Sequence, residues 1–315
     1  MRSIIYKIMV LAAVVLSAAS CETVVEFRGD YVESMPVLNA VISPDGPVRA
    51  TYTRSVFILD DDSETIIKDG TVELYINDEF VEVLQPVEET SEWQGTSFYY
   101  LGTVTPRVAD KVTIRARSAQ FPEWVSGTTT IPYAPTVGDL KIETSEAMEE
   151  GYTDLTARLE LTDPEAVTNY YFVRGCIVIP NDNPYAYYQR LYFEYTDLAF
   201  REGKADGLLE ELLGGSGDNA LFADTMIDGQ QNYPLTMECE YATTYWNVPE
   251  ALFEVTCFQT DEHLYKYLCS EKLAGNAAMF GEPVQIYTNV EGGIGVVCAR
   301  SSLVVRSKSY SELFE

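Results

Sequence analysis

Three glycines crowd a short stretch near the C-terminal end, Gly292, Gly293 and Gly295 in EGGIGVV, and such a cluster is the first place to look for phosphate chemistry. A Walker loop needs a Lys and then a Ser or Thr directly after its glycines, at a helix N-terminus. A dinucleotide loop needs Gly-x-Gly-x-x-Gly opening a helix. Here the glycines lead into Val296, Val297, Cys298 and Ala299, and later Leu303, Val304 and Val305, which is strand composition. Asn289 and Glu291 favour a turn, and glycine tolerates the positive φ that a tight turn or bulge demands. Gly292, Gly293 and Gly295 therefore read as a structural turn.

Other chemistry is thinly represented. His263 is the single histidine, so a His-based zinc site cannot be assembled, and a Ser-His-Asp site lacks its GxSxG elbow. Carboxylate pairs for glycoside hydrolysis can be drawn from so many acids that no pairing is specific. Asp60, Asp62 and Glu64 in DDDSE offer oxygens to Ca²⁺. The segment lacks the EF-hand glycine and downstream Glu, so a solvated acidic loop is favoured, and no metal or cofactor is expected. Tyr185, Tyr187 and Tyr188, with Tyr192 and Tyr195, form an aromatic-rich patch whose flat faces and polar tips suit sugar or peptide contact. Alternate tyrosines on a strand more often pack as core or sheet surface, and that reading is favoured. These features lead to the expectation that the protein is not an enzyme.

Five cysteines remain once Cys21 is set aside: Cys176, Cys239, Cys257, Cys269 and Cys298. An odd number cannot pair completely, and the sequence has no CxxC. Cys239 and Cys257 sit where a hairpin could bring them face to face, yet each lies on an apolar strand face, so buried free thiols are favoured.

The elements that must position these residues are strands. Pro36–Ile42, Val48–Tyr52, Thr71–Ile76, Phe98–Leu101 and Lys111–Arg117 are short, alternating or β-branched, and Ser43–Pro47, Lys68–Gly70 and Asn77-Asp78 punctuate them. Residues 35–133 thus predict a β-sandwich of immunoglobulin-like size, without the Cys…Trp…Cys pattern of antibody domains. Pro132 and Pro135 mark a boundary. Residues 136–315 predict a second, β-rich domain with sandwich-like build and one or two short helices. Its strands are expected at Leu155–Leu161, Asn169–Ile179, Tyr187–Tyr195, Val284–Tyr287 and Ile294–Arg306. Tyr233–Tyr241 and Ala251–Gln259 read as a hairpin across Asn247–Pro249. Helical spacing covers Leu208–Leu213 and Asp261–Leu273, the latter with Asp261 as N-cap and Gly275 as stop.

The first residues, MRSIIYKIMVLAAVVLSAASCE, combine Arg2 and Lys7, an apolar segment and small residues before Cys21. This is the layout of a secretory signal peptide over residues 1–20. The cysteine after the small residues resembles the lipobox of bacterial lipoproteins, which implies lipidation of Cys21, with residues 21–34 as anchor and tether. Lys and Arg total 21 against 49 Asp and Glu; losing Arg2 and Lys7 would take the net charge from −28 to −30. Such a field repels nucleic acid and excludes it as a partner.

FADTMIDGQ (Phe222–Gln230), DEHLYKYL (Asp261–Leu268) and PVQIYTNVEGGIGVV (Pro283–Val297), in that order behind a lipobox, resemble an uncharacterised lipoprotein family of Bacteroidota, a domain of unknown function. Members are commonly encoded beside TonB-dependent outer-membrane receptors. Where the family has a Phe after GIG-x, this chain has Val297. The resemblance implies a non-catalytic, lipid-anchored protein of the outer membrane, on its periplasmic face or at the cell surface. Its partners would be the bilayer, through acylated Cys21, and a TonB-dependent receptor in nutrient uptake. A structural surface module of adhesin type is the alternative, and a carboxylate-dependent hydrolase a more remote one.

Overall fold

The computed structural model describes residues 33–57, 64–91, 95–146, 151–179, 187–191, 197–201, 220–242, 250–278 and 285–314. Residues 1–20, Cys21, most of the tether, Asp60, Asp62, Tyr185, Leu208–Leu213 and Asn247–Pro249 lie outside the described residues. The chain divides into a unit of Met1–Glu33 with Phe57–Leu59 and a unit of Ser34–Val56 with Asp60–Glu315; the elements below belong to the second.

The fold is mainly β. Its strands are β1 (Pro36–Ile42), β2 (Arg49–Arg54), β3 (Thr71–Ile76), β4 (Glu79–Val83), β5 (Gln85–Ser91), β6 (Gly95–Leu101), β7 (Lys111–Arg117) and β8 (Val125–Thr130), then β9 (Thr136–Glu146), β10 (Tyr152–Thr162), β11 (Tyr170–Ile179), β12 (Tyr187–Leu191), β13 (Ala220–Ala223), β14 (Tyr233–Ala242), β15 (Leu252–Thr260) and β16 (Val297–Ser309). Among the described residues two α-helices accompany them, α1 (Glu262–Ala278) and α2 (Tyr310–Phe314). No helix among the described residues is long and apolar enough to cross a membrane.

Period-two alternation decides which face each strand buries. Leu38, Ala40 and Ile42 of β1, Val72 and Leu74 of β3, and Val112, Ile114 and Ala116 of β7 all point into one cluster with Tyr52 and Tyr100. Each valine, leucine and isoleucine among them contributes roughly 1.5–3 kcal/mol by leaving water. The cluster lies between the sheet β4-β3-β7-β8 and the β1-β2-β6 part of a larger sheet, a sandwich-like arrangement. A second cluster gathers Leu155, Ala157, Leu159 and Leu161 of β10, Leu235 and Met237 of β14, and Tyr171, Val173, Val255 and Cys257 of β11 and β15. It lies between the sheet β14-β10-β9 and the other end of the larger sheet.

That larger sheet runs β12-β11-β15-β16-β1-β2-β6-β5, with β13 also paired to β11. β16 joins the two halves. Its first residues run parallel to β1, with Ala40 opposite Val297 and Ile42 opposite Ala299, and its remainder runs antiparallel to β15. Val290, Val297 and Ala299, late in the chain, therefore complete the cluster built by the first strands.

Three expectations need correction. β14 and β15 do not form a hairpin: β14 pairs with β10, and β15 pairs with β11 and β16, so Cys239 and Cys257 stand in different sheets that share one core. Both are free, as are Cys176, Cys269 and Cys298. Helix α1 passes through Gly275 and ends at Ala278. One glycine costs an internal helix turn about 1 kcal/mol, which does not stop a helix held by packing. Residues 285–287 join no strand; they run beside α1.

Candidate functional site

Two sites can be built from the segments that carry the family resemblance. The first lies along α1. Asp261 caps the helix: its Oδ1 accepts the Leu264 N–H at 2.8 Å, and its carboxylate also accepts the Thr129 hydroxyl. Its own N–H donates to the Ala299 carbonyl at 3.0 Å, so the helix start is pinned to β16 and β8. Burial pushes the Asp261 carboxyl above its ordinary value, against the hydrogen bonds it accepts. On the next turns Leu264, Tyr267 and Leu268 pack on Val296 and Cys298, and Tyr265 stacks on Tyr170 with ring centres 4.5 Å apart.

The chain from 285 to 288 is fixed beside this helix by side-chain bonds. Ser270 accepts the Tyr287 N–H at 2.8 Å while its hydroxyl donates to the Tyr267 carbonyl at 2.8 Å. His263 Nδ1 meets the Tyr287 hydroxyl at 2.8 Å, so the single histidine is engaged with a tyrosine. Between helix and segment lies a groove of ≈ 470 Å³ lined by Tyr265, Cys269, Leu273, Ile286 and Tyr287 among others. Leu273 and Ile286 are 45 % and 46 % exposed, so its walls present apolar surface to solvent. Lys266, paired to Glu262 at 2.6 Å, places a cation at the rim, 5.8 Å from the Tyr287 ring centre.

The second site is acidic. A single turn at Asp224–Met226 follows β13, and it brings Asp224 and Asp228 to Asp163, just after β10, with carboxylate oxygens of the three within 4.8 Å of one another. A Ca²⁺-sized cation could span that spacing. Donors already point at these oxygens. Asp163 accepts the Tyr171 hydroxyl at 2.7 Å, the Gly229 N–H at 3.1 Å and the Asn169 amide at 3.3 Å. Asp224 accepts the Asn169 N–H at 2.5 Å, and Asp228 accepts the Ala166 N–H at 3.1 Å. Gln259 closes the network on Asn169 Oδ1 at 2.6 Å. Burial raises the pKa values of Asp163 and Asp224, and the charge of Asp228 raises both further. Asp163 is fully buried and Asp224 only 4 % exposed, while Asp228 is exposed. The cluster ties the β10–β11 connection to the β13–β14 connection.

Of the residues singled out from sequence, Gly292 and Gly295 adopt φ of 76° and 118°. Their segment threads between β1 and β8: Ile294 exchanges main-chain bonds with Pro36 and Leu38, and Glu291 does so with Ser126. A Cβ on Gly293 would stand 2.6 Å from the Pro36 carbonyl oxygen, and one on Gly295 would strike that of Leu38. The close approach of two backbones, with no room for a phosphate, accounts for these glycines. Tyr187 and Tyr188 lie on β12, at the edge of the large sheet, paired with Ile179 and Val178. Glu64 is exposed. Sequence reasoning missed the Asp163 cluster, although Asp224 and Asp228 both fall within FADTMIDGQ; two acids four residues apart in a chain with 49 gave no signal.

The fold and the groove define a mainly β protein of two sandwich-like cores threaded by one sheet. The chain belongs to the family described as a domain of unknown function (DUF4249), which it matches over residues 22–304. Comparison with curated proteins gave no significant match.

Proposed function

We propose that this protein is a lipoprotein held in the outer membrane by acylated Cys21 and that it serves, without catalysis, as the ligand-binding accessory of a TonB-dependent receptor in nutrient uptake. The observation that carries this reading is the groove beside α1. It is open, mostly apolar and walled by aromatic rings with a few polar groups, the composition of a binding site. It is also built from two of the three segments that resemble the Bacteroidota lipoproteins, DEHLYKYL and PVQIYTNVEGGIGVV. Those proteins are commonly encoded beside such receptors, which supplies the partner. The basic, apolar and small-residue order before Cys21 supplies the anchor; each buried CH₂ of an acyl chain contributes about 0.8 kcal/mol, and several chains together hold firmly.

The test is recovery of the lipidated protein from its own membrane in mild detergent, with partners identified by mass spectrometry. A stoichiometric β-barrel receptor is the expected result. Recovery alone under several growth conditions, or as a homopolymer, overturns the accessory role and leaves a structural surface module as the better reading.

A further inference from the structure

Side chains of β11, β15 and β16 alternate between the core and the opposite face. Tyr171, Val173, Val255 and Cys257 enter the core. Phe172 and Arg174, Phe258 and Thr260, and Arg300 share the opposite face, since the register sets Phe172 against Phe258 and Thr260 against Arg300. The two phenylalanine rings stack with centres 4.0 Å apart and planes 10° from parallel. The Arg300 guanidinium sits 4.8 Å from the centre of the Phe258 ring, and that of Arg174 sits 5.7 Å from Phe258 and 5.9 Å from Phe172.

Neither guanidinium makes an ion pair or a hydrogen bond among the described residues. Arg306, farther along the same face, shows the ordinary arrangement, with its Nε 2.9 Å from Glu254. In a chain with 49 acidic residues against 21 basic ones, two neighbouring arginines without a carboxylate partner stand out. Asp45 acts on Arg300 through its charge but forms no ion pair with it; burial first, and then the charge of Arg174, lowers the pKa of Arg300. Covering two phenylalanines needs only the aliphatic stem of a long side chain. Bringing two like charges together adds a cost to that role and no benefit. A guanidinium stacked on a ring keeps its N–H edge free, and each offers five donors in a plane that matches an oxoanion. The same face holds one more donor without a partner among the described residues: Thr260, opposite Arg300, is 3 % exposed and its hydroxyl bonds to none of them.

We propose that Arg174 and Arg300, set over Phe172 and Phe258, form a binding site for an oxoanion, the carboxylate or phosphate group of a small ligand. The site is independent of the groove beside α1. Calorimetric titration of the purified full-length protein in detergent tests it, with sodium benzoate and inorganic phosphate as separate probes and neutral benzamide as the control. One anion, or both, binds one to one, more weakly as salt is added, while benzamide does not. Arg174→Gln and Arg300→Gln each weaken binding about tenfold or more, because a charged hydrogen-bond pair is lost. Arg300→Lys recovers only part, since an ammonium lacks the fork. Benzoate without phosphate assigns a carboxylate, and phosphate without benzoate a phosphoryl group. Arg174 is exposed, so its variant remains informative if a change at Arg300 disturbs folding. No heat from either anion, or undiminished binding in Arg174→Gln, overturns the site.

Discussion

Asn289 meets Val297 with both ends of its side-chain amide. Its Oδ1 accepts the Val297 N–H at 2.9 Å, and its Nδ2 donates to the Val297 carbonyl at 2.8 Å. The same Nδ2 reaches the Thr128 carbonyl of β8 at 3.2 Å. One side chain thus does for buried Val297 what a neighbouring strand does elsewhere, at the point where the glycine segment turns into β16.

Asn289→Ala should lower stability by about 2–3 kcal/mol, because it leaves buried main-chain groups without partners. Asn289→Asp should cost more, since a carboxylate would face the Val297 and Thr128 carbonyl oxygens. Urea unfolding checks this, and the midpoint should fall with an unchanged slope.

Gly295→Ala and Gly46→Ala separate the geometric role of a glycine from its mere presence. Gly295 has φ of 118° and a Cβ there would strike the Leu38 carbonyl oxygen, whereas a Cβ on Gly46 meets nothing within 4 Å. The first change should destabilise by about 1–3 kcal/mol or more and the second by less than about 0.5 kcal/mol. Thermal unfolding of the two variants side by side is sufficient; equal melting temperatures would refute the close-approach argument.

Burial raises the pKa values of Asp163 and Asp224 above the ordinary carboxylate value near 4. A raised folded-state pKa favours the protonated group in the fold. Its contribution to stability is therefore complete below the unfolded value and is lost as pH rises through the raised one. Asp228→Asn keeps an oxygen for the Ala166 N–H and removes the exposed charge that raises both neighbours. The variant should match the parent near pH 4 and melt at a higher temperature near pH 7. A gap that is widest at acid pH would contradict the assignment.

The thiols should be nearly silent in the folded protein. Burial pushes Cys239 and Cys257 up to about 12, Cys176 rises to about 11, chiefly by burial, and Cys298 is raised too. The thiolate is the reactive form, so a colorimetric thiol reagent at pH 8 should react slowly with native protein and promptly once guanidinium is added. Cys239 and Cys257 should remain unlinked, because no hairpin aligns them.

Much of the architecture could be read locally. Pro36–Ile42, Thr71–Ile76 and Lys111–Arg117 stand as strands with the limits that their alternation gives, and Asn77-Asp78 forms the two-residue turn between β3 and β4 with φ of 54° and 67°. Asp261 caps the helix that its position announces. These features depend on a residue and its neighbours within one turn or one strand. Strands such as β4, β5 and β9 were not legible, because half-exposed polar strands carry no clear alternation.

The sequence by itself determined that the chain is mainly β, where most core strands lie and which of their faces are apolar, because burial of one face imposes period two on the residues that form it. Only the tertiary structure decided which strands pair. Val296 donates to the side chain of Asn39, 257 positions away, and β16 crosses from one core to the other beside β1. It also decided that Asp163 meets Asp224 and Asp228, and that Arg174 and Arg300 meet over the Phe258 ring. Such contacts arise from the fit of surfaces scattered along the chain, and no local pattern of residue types encodes which distant partner will complete them.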